Sequence, residues 1–124
     1  VASVDSTILL LNINHLLSTC PSSCIHHQRL IHNLVGVLSN KILILNNKIT
    51  HTSKRTTRDK LLSYLSSESI RQGSLSFDIP FDRQQLADYL CVERAAMSVE
   101  LSKLVKEGLF TTNRNHFELK KKAV

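Results

Sequence analysis

The stretch "LADYLCVERAAMSVELSKL", residues 86–104, decides how this chain folds. It reads as two short amphipathic helices meeting at a sharp turn that contains no glycine. Leu86, Leu90, Val92, Met97 and Leu101 fall at spacings that let two crossed helices share one apolar core. Ala87 supplies the small residue such a pair needs where the second helix comes closest. The solvent side of that second helix then carries Arg94, Ala95, Ser98, Val99 and Ser102. In a helix-turn-helix that reads DNA, this is the side that enters the major groove, N-terminus foremost.

The flanks fit the same layout. Upstream, "TSKRTTRDKLLSYLSSESIRQG" opens with capping residues, carries Leu61, Leu62 and Leu65 on one face and stops at Gly73. In "SLSFDIPF", Leu75, Phe77, Ile79 and Phe81 alternate with the period of a half-buried strand. Asp82 then offers an N-cap to "RQQLADYL". Downstream, a helix from about Arg94 to Lys106 ends at Gly108, and "LFTTNRNHFEL" reads as a hairpin turning at "TNRN". The order helix, strand, helix, helix, hairpin is that of a winged helix-turn-helix.

Further upstream, Ile31, Val35, Leu38, Ile42, Leu45 and Ile49 recur at spacings 4, 3, 4, 3, 4, a heptad seam. With Val35, Ile42 and Ile49 at a and Ile31, Leu38 and Leu45 at d, two parallel helices are favoured. A second stripe of Leu30, Leu34, Val37 and Ile44 is expected to pack within the helix's own subunit; the alternative is a single buried amphipathic helix. Leu43, Leu45 and Phe110 also admit a plain core reading. "STILLLNI", residues 6–13, has the length and character of a core strand, and "HLLSTCPSSC" reads as a helical turn broken at Pro21. A strand needs partners this chain hardly supplies, and the chain opens at Val1 as if in the middle of something, so we read it as a fragment. The tail "KKKAV" is expected to be a solvated end.

Composition narrows the function. The 124 residues are 42% hydrophobic with a formal charge of +6, few glycines and prolines, and no tryptophan. Residues 1–53 hold three basic against one acidic side chain, and residues 54–124 thirteen against nine. A basic excess points to a polyanion, nucleic acid before an anionic membrane. Lys54, Arg55 and Arg58, with Arg114, Asn115 and His116 in the hairpin, are candidate phosphate contacts. Three cysteines without a disulfide framework fit a reducing cytoplasm, and no apolar run is long enough to span a membrane. Cys20 and Cys24 lie near His26, His27 and His32, but the spacing matches no zinc pattern, and nothing nearby marks a redox-active thiol. No nucleophile–base pair or phosphate-cradling loop appears, so the expectation is a protein that is no enzyme, without metal or cofactor in this chain.

The run "FDIPFDRQQLADYLCVERAAMSVELSKLVKEGLF", residues 77–110, together with "SKRTTRDKLLSYL" before it and "NHFEL" after it, resembles the C-terminal half of bacterial Crp/Fnr-type transcription regulators. The resemblance is most specific over 53–119. It implies the end of an effector-binding β-roll at 1–22, a dimerisation helix at 23–52 and a winged helix-turn-helix at 53–124. It further implies a homodimer on double-stranded DNA at a palindromic promoter site, with RNA polymerase as a further partner and an effector bound mainly outside this chain. Arg94 and Ser98 would lead the DNA contacts, with Ala95, Val99 and Ser102 facing bases and Arg83, Gln84, Arg114 and Asn115 on the backbone. Three positions depart from the family pattern. Cys91 stands where many relatives have glycine, and Ala95 and Val99 replace a Glu and an Arg that pair with base edges. Direct readout is therefore expected to be weakened or shifted. The rival reading is an interaction or dimerisation module whose readout has degenerated.

Overall fold

The computed structural model describes residues 4–14 and 24–120 and divides into two compact units, 1–42 and 43–124. The calls on Cys20 and Pro21 and on the end of the "KKKAV" tail fall outside the described residues.

In the first unit the strand expected over 6–13 does not form. Residues 5–12 have no regular structure, and Ile8, Leu9 and Leu10 are exposed. The apolar run has strand composition, but among the described residues no neighbouring strand pairs with it. Helix α1, Ile25–Thr52, is continuous over 28 residues and begins in this unit. Its seam lies open: Val35, Leu38, Ile42, Leu45 and Ile49 are exposed, and Ile31 is half-buried. The second stripe does not pack as expected, since Leu30, Val37 and Ile44 are exposed as well and only Leu34 is partly covered. Leu43 and Leu45 likewise are exposed and are not core residues.

The second unit takes in the end of α1 from Leu43 on and carries the hydrophobic core. Helix α2, Thr57–Gln72, starts where Thr56 Oγ1 accepts the Asp59 backbone N–H at 3.0 Å and stops at Gly73, whose φ of 65° an L side chain rarely adopts. Strand β1 covers only Ser76–Asp78, shorter than the alternation over 75–81 predicts. Beyond it the Ile79 N–H turns to the Asn115 carbonyl at 2.9 Å, and Pro80 has no N–H to give. Phe81 instead joins Tyr64 and Tyr89 in an aromatic trio. Helix α3, Arg83–Leu90, begins with a full capping box, Asp82 and Gln85 each satisfying the other's backbone N–H. Helix α4, Arg94–Lys106, ends before Gly108, which takes φ 75° to send the chain into β2, Phe110–Asn113. Strand β3, His116–Leu119, returns between β2 and β1, so the antiparallel sheet runs β1-β3-β2. The pairings Asn113↔His116, Thr112↔Phe117 and Phe77↔Phe117 set its register.

The core follows from these registers. Leu61 and Leu65 of α2, Leu86 and Leu90 of α3, Met97 and Leu104 of α4, and Phe110 and Phe117 of the hairpin are fully buried. Burying each such side chain contributes about 1.5–3 kcal/mol.

Candidate nucleic-acid interface

The turn between α3 and α4 is built without glycine but not without strain. Cys91 caps α3 at φ 52° and ψ 56°, the left-handed region, and its side chain is exposed. Hydrogen bonds on both sides hold it there. The Val92 N–H returns to the Ala87 carbonyl at 3.0 Å, and Lys60 of α2 places Nζ 3.3 Å from the carbonyls of both Leu90 and Cys91. A lysine at a helix C-terminus satisfies orphan carbonyls and opposes the dipole. Ala87 is completely buried beneath the crossing, as its small size anticipates.

Helix α4 has Glu93 at its N-cap with no side-chain cap bond, so part of its first-turn N–H row has no protein side-chain acceptor. A helix start of this kind favours an approaching anion. Arg94, Ala95, Ser98, Val99 and Ser102 are all exposed. The two serines bond back along their own helix, Ser98 Oγ to the Arg94 carbonyl at 2.9 Å and Ser102 Oγ to the Ser98 carbonyl at 3.0 Å. Each hydroxyl oxygen keeps lone pairs to accept from outside. Val99 is 54% exposed, an apolar side chain offered to solvent in the middle of this face.

Five candidate contacts from the sequence meet around one open cleft of about 410 Å³, beside the N-cap Asp82: Arg83 and Gln84 from the start of α3, Arg94 from the start of α4, and Arg114 and Asn115 from the hairpin tip. Two hairpin residues and two helix starts, far apart in sequence, are thereby brought to one basic surface. Arg114 holds φ 53° at the tip. Arg83 is less free than its neighbours. It is half-buried, its Nη2 donates to Thr112 Oγ1 at 2.9 Å, and its guanidinium lies 5.2 Å from the Phe117 ring centroid. Its Nη1 is buried with no partner among the described residues, and burial pulls its pKa down from the usual arginine value. Arg83 therefore ties α3 to the wing as well as facing the cleft.

The basic flank divides. Lys54 and Arg55 are exposed between α1 and α2. Arg58 is committed instead to Glu107 at the end of α4 through a two-pronged pair, Nη1 to Oε1 at 2.8 Å and Nη2 to Oε2. Its pKa is raised by that bond, and the Glu107 carboxyl is held down by the same contact. His116, directly after the wing's tip, spans Asp78 at 2.8 Å and Ser76 at 3.1 Å across β1, which makes it a sheet contact. Sequence reasoning passed over Lys103 and Lys106, which line the surface beside Ser98, Val99 and Ser102. Their positions, four and seven residues past Val99, place them on the same helix face and were a usable signal. Lys103 is paired with Glu100 at 2.6 Å.

The family model of the Crp-like helix-turn-helix domain matches residues 59–123, from early α2 to beyond β3. This chain belongs to the Crp-like helix-turn-helix family. Crp/Fnr-type membership makes it a DNA-binding regulator, in a family that is typically non-enzymatic. No curated protein matches the chain. Among the described residues no helix is long and apolar enough to cross a membrane, and no group of three or more metal-ligating side chains comes together. The Crp-like domain thus presents a strained but braced turn, an exposed α4 face and a basic cleft beside it.

Proposed function

We propose that the chain acts as a homodimeric transcription regulator on a palindromic site, paired through the α1 seam and holding DNA chiefly by its backbone. The observation that carries this reading is the convergence of Arg83, Gln84, Arg94, Arg114 and Asn115 on one cleft beside the exposed face of α4. Such cations and amides meet phosphates, which position a protein without reading sequence. In this reading the start of α4 enters the major groove, and Ala95 and Val99 offer base edges only apolar contact, such as with a thymine methyl. A lost bidentate pair forfeits about 1–3 kcal/mol of discrimination per half-site, so the ratio of specific to non-specific binding is modest. RNA polymerase is the further partner in this reading, in a reducing cytoplasm.

Fluorescence anisotropy across a salt series, with a palindromic site and random duplex, tests this. The expected outcome is a steep salt dependence on both and a small gap between them. Arg94→Ala is expected to weaken both about tenfold, roughly one lost charged contact. The exposed apolar residues at Ala95 and Val99 favour the second reading, an interaction module without DNA readout. Unchanged affinity in Arg94→Ala would decide for it.

A further inference from the structure

A second cleft, of about 530 Å³, opens on the side of the domain where α1 ends, against α2 and the segment before α3. That volume suits a small molecule. Its wall is aromatic: Tyr64, Phe81 and Tyr89 lie with ring centroids 5.0–6.2 Å apart, and His51 meets Tyr64 edge-on at 5.7 Å. Phe81 and Tyr89 are only half-buried and offer a flat ligand an aromatic surface, with Tyr64 behind them.

One polar group here lacks a partner. Tyr64 is 97% buried as a residue (3% exposed) yet lines the cleft, and its hydroxyl makes no hydrogen bond among the described residues. The hydroxyl is the part of Tyr64 that reaches the open cleft, since among the described residues only Arg83 Nη1 is both buried and unpaired, so its O–H is free to donate to a guest. Burial pushes this hydroxyl above the usual tyrosine range, so it stays protonated and able to donate. Asn47 adds an amide to the rim. Charge is absent or already placed. Glu68 is held by Arg71 at 2.6 Å and by Gln72 at 3.1 Å, His51 is kept neutral by burial, and the Lys48 ammonium already sits 5.4 Å from the Tyr89 centroid. A cationic guest would meet Lys48, and an anionic one would meet Glu68.

We propose that this cleft binds a small, flat, uncharged aromatic or heteroaromatic molecule that stacks against Phe81 and Tyr89 and takes a hydrogen bond from the Tyr64 hydroxyl. The site is independent of the DNA-facing cleft and does not rest on the proposed DNA contacts. An effector expected mainly outside this chain would then have a counterpart within it.

The chain has two tyrosines, both lining this cleft, so ring-labelled tyrosine gives two NMR signals that report on it directly. Indole and quinoline are the probes; quinoline carries the ring-nitrogen acceptor and indole serves as the stacking control. Titrating the full chain with quinoline is expected to shift both signals saturably, with a dissociation constant below about 1 mM. Tyr64→Phe removes a hydroxyl that bonds nothing in the protein, so its melting temperature should hold. It should weaken quinoline about fivefold, the worth of one hydrogen bond, and leave indole unchanged. No saturable shift with either probe overturns the proposal, as does equal quinoline affinity in wild type and Tyr64→Phe. Signals that respond to protein dilution but not to quinoline would assign the cleft to a second copy of the chain and overturn it too.

Discussion

Helix α1 and the winged domain are made of the same apolar residue types and treat them oppositely. In the domain, Leu61, Leu65, Leu86, Leu90 and Leu104 are wholly buried; in α1, Ile42, Leu45 and Ile49 stand about 60% exposed. The difference lies in what surrounds each element. The domain's helices cross one another and a three-stranded sheet, so every apolar face has a neighbour. A helix can bury only what something else covers, and the open repeat of α1 is the surface the proposed pairing would cover.

The contrast can be broken at either end. Replacing Ile42 and Ile49 together by Ala is expected to weaken self-association by at least a hundredfold, because each truncation at a buried seam costs about 2–5 kcal/mol. The winged domain's melting should not move, and sedimentation against calorimetry on the same samples separates the two. Leu86→Ala does the reverse. It should destabilise the domain by about 2–5 kcal/mol in denaturant melts and leave association intact if the domain still folds.

Smaller effects sharpen the picture within the domain. Cys91→Gly relieves a left-handed cap whose side chain is exposed, and a gain of about 0.5–1 kcal/mol is expected after the extra freedom glycine brings to the unfolded chain. A melt unchanged or lowered by this substitution would mean that the Lys60 contacts already absorb the strain. The smallest effect is a pH slope. His51 is buried at the end of α1, with Nδ1 2.9 Å from Ser63 Oγ, and desolvation lowers its pKa below 6.5. The unfolded chain therefore takes up this proton first as pH falls. The stability His51 contributes is complete above about pH 6.5 and declines below it, through the window down to its folded pKa. His51→Gln should flatten that decline relative to wild type in melts between neutral and mildly acidic pH.

Local rules carried most of the domain. The caps at Thr56, Asp82 and Gly73, the helix pair and the hairpin at "TNRN" were all legible because each depends on residues within a few positions of one another. The members of the basic cleft were legible singly, and their convergence was not, since it joins residues up to 32 positions apart, from Arg83 to Asn115. Arg58 looked like a free cation because its partner Glu107 is 49 positions away. The strand over 6–13 failed for a similar reason: composition proposes a strand, but only a second strand completes one. The left-handed Cys91 was half visible. The missing glycine was noticed, yet nothing local announced that the turn would keep the conformation glycine usually supplies.

The hairpin register carries one more consequence. Phe117 faces the core while Glu118 and His116 face out, and the two-residue tip at Arg114 and Asn115 fixes that alternation. Adding one residue to either strand would swing Phe117 outward and carry a charge into its place. Without a bulge to absorb an odd residue, the wing can therefore be lengthened only in increments of two, which makes its length a coarse dial and leaves the side chains at its tip as the fine one.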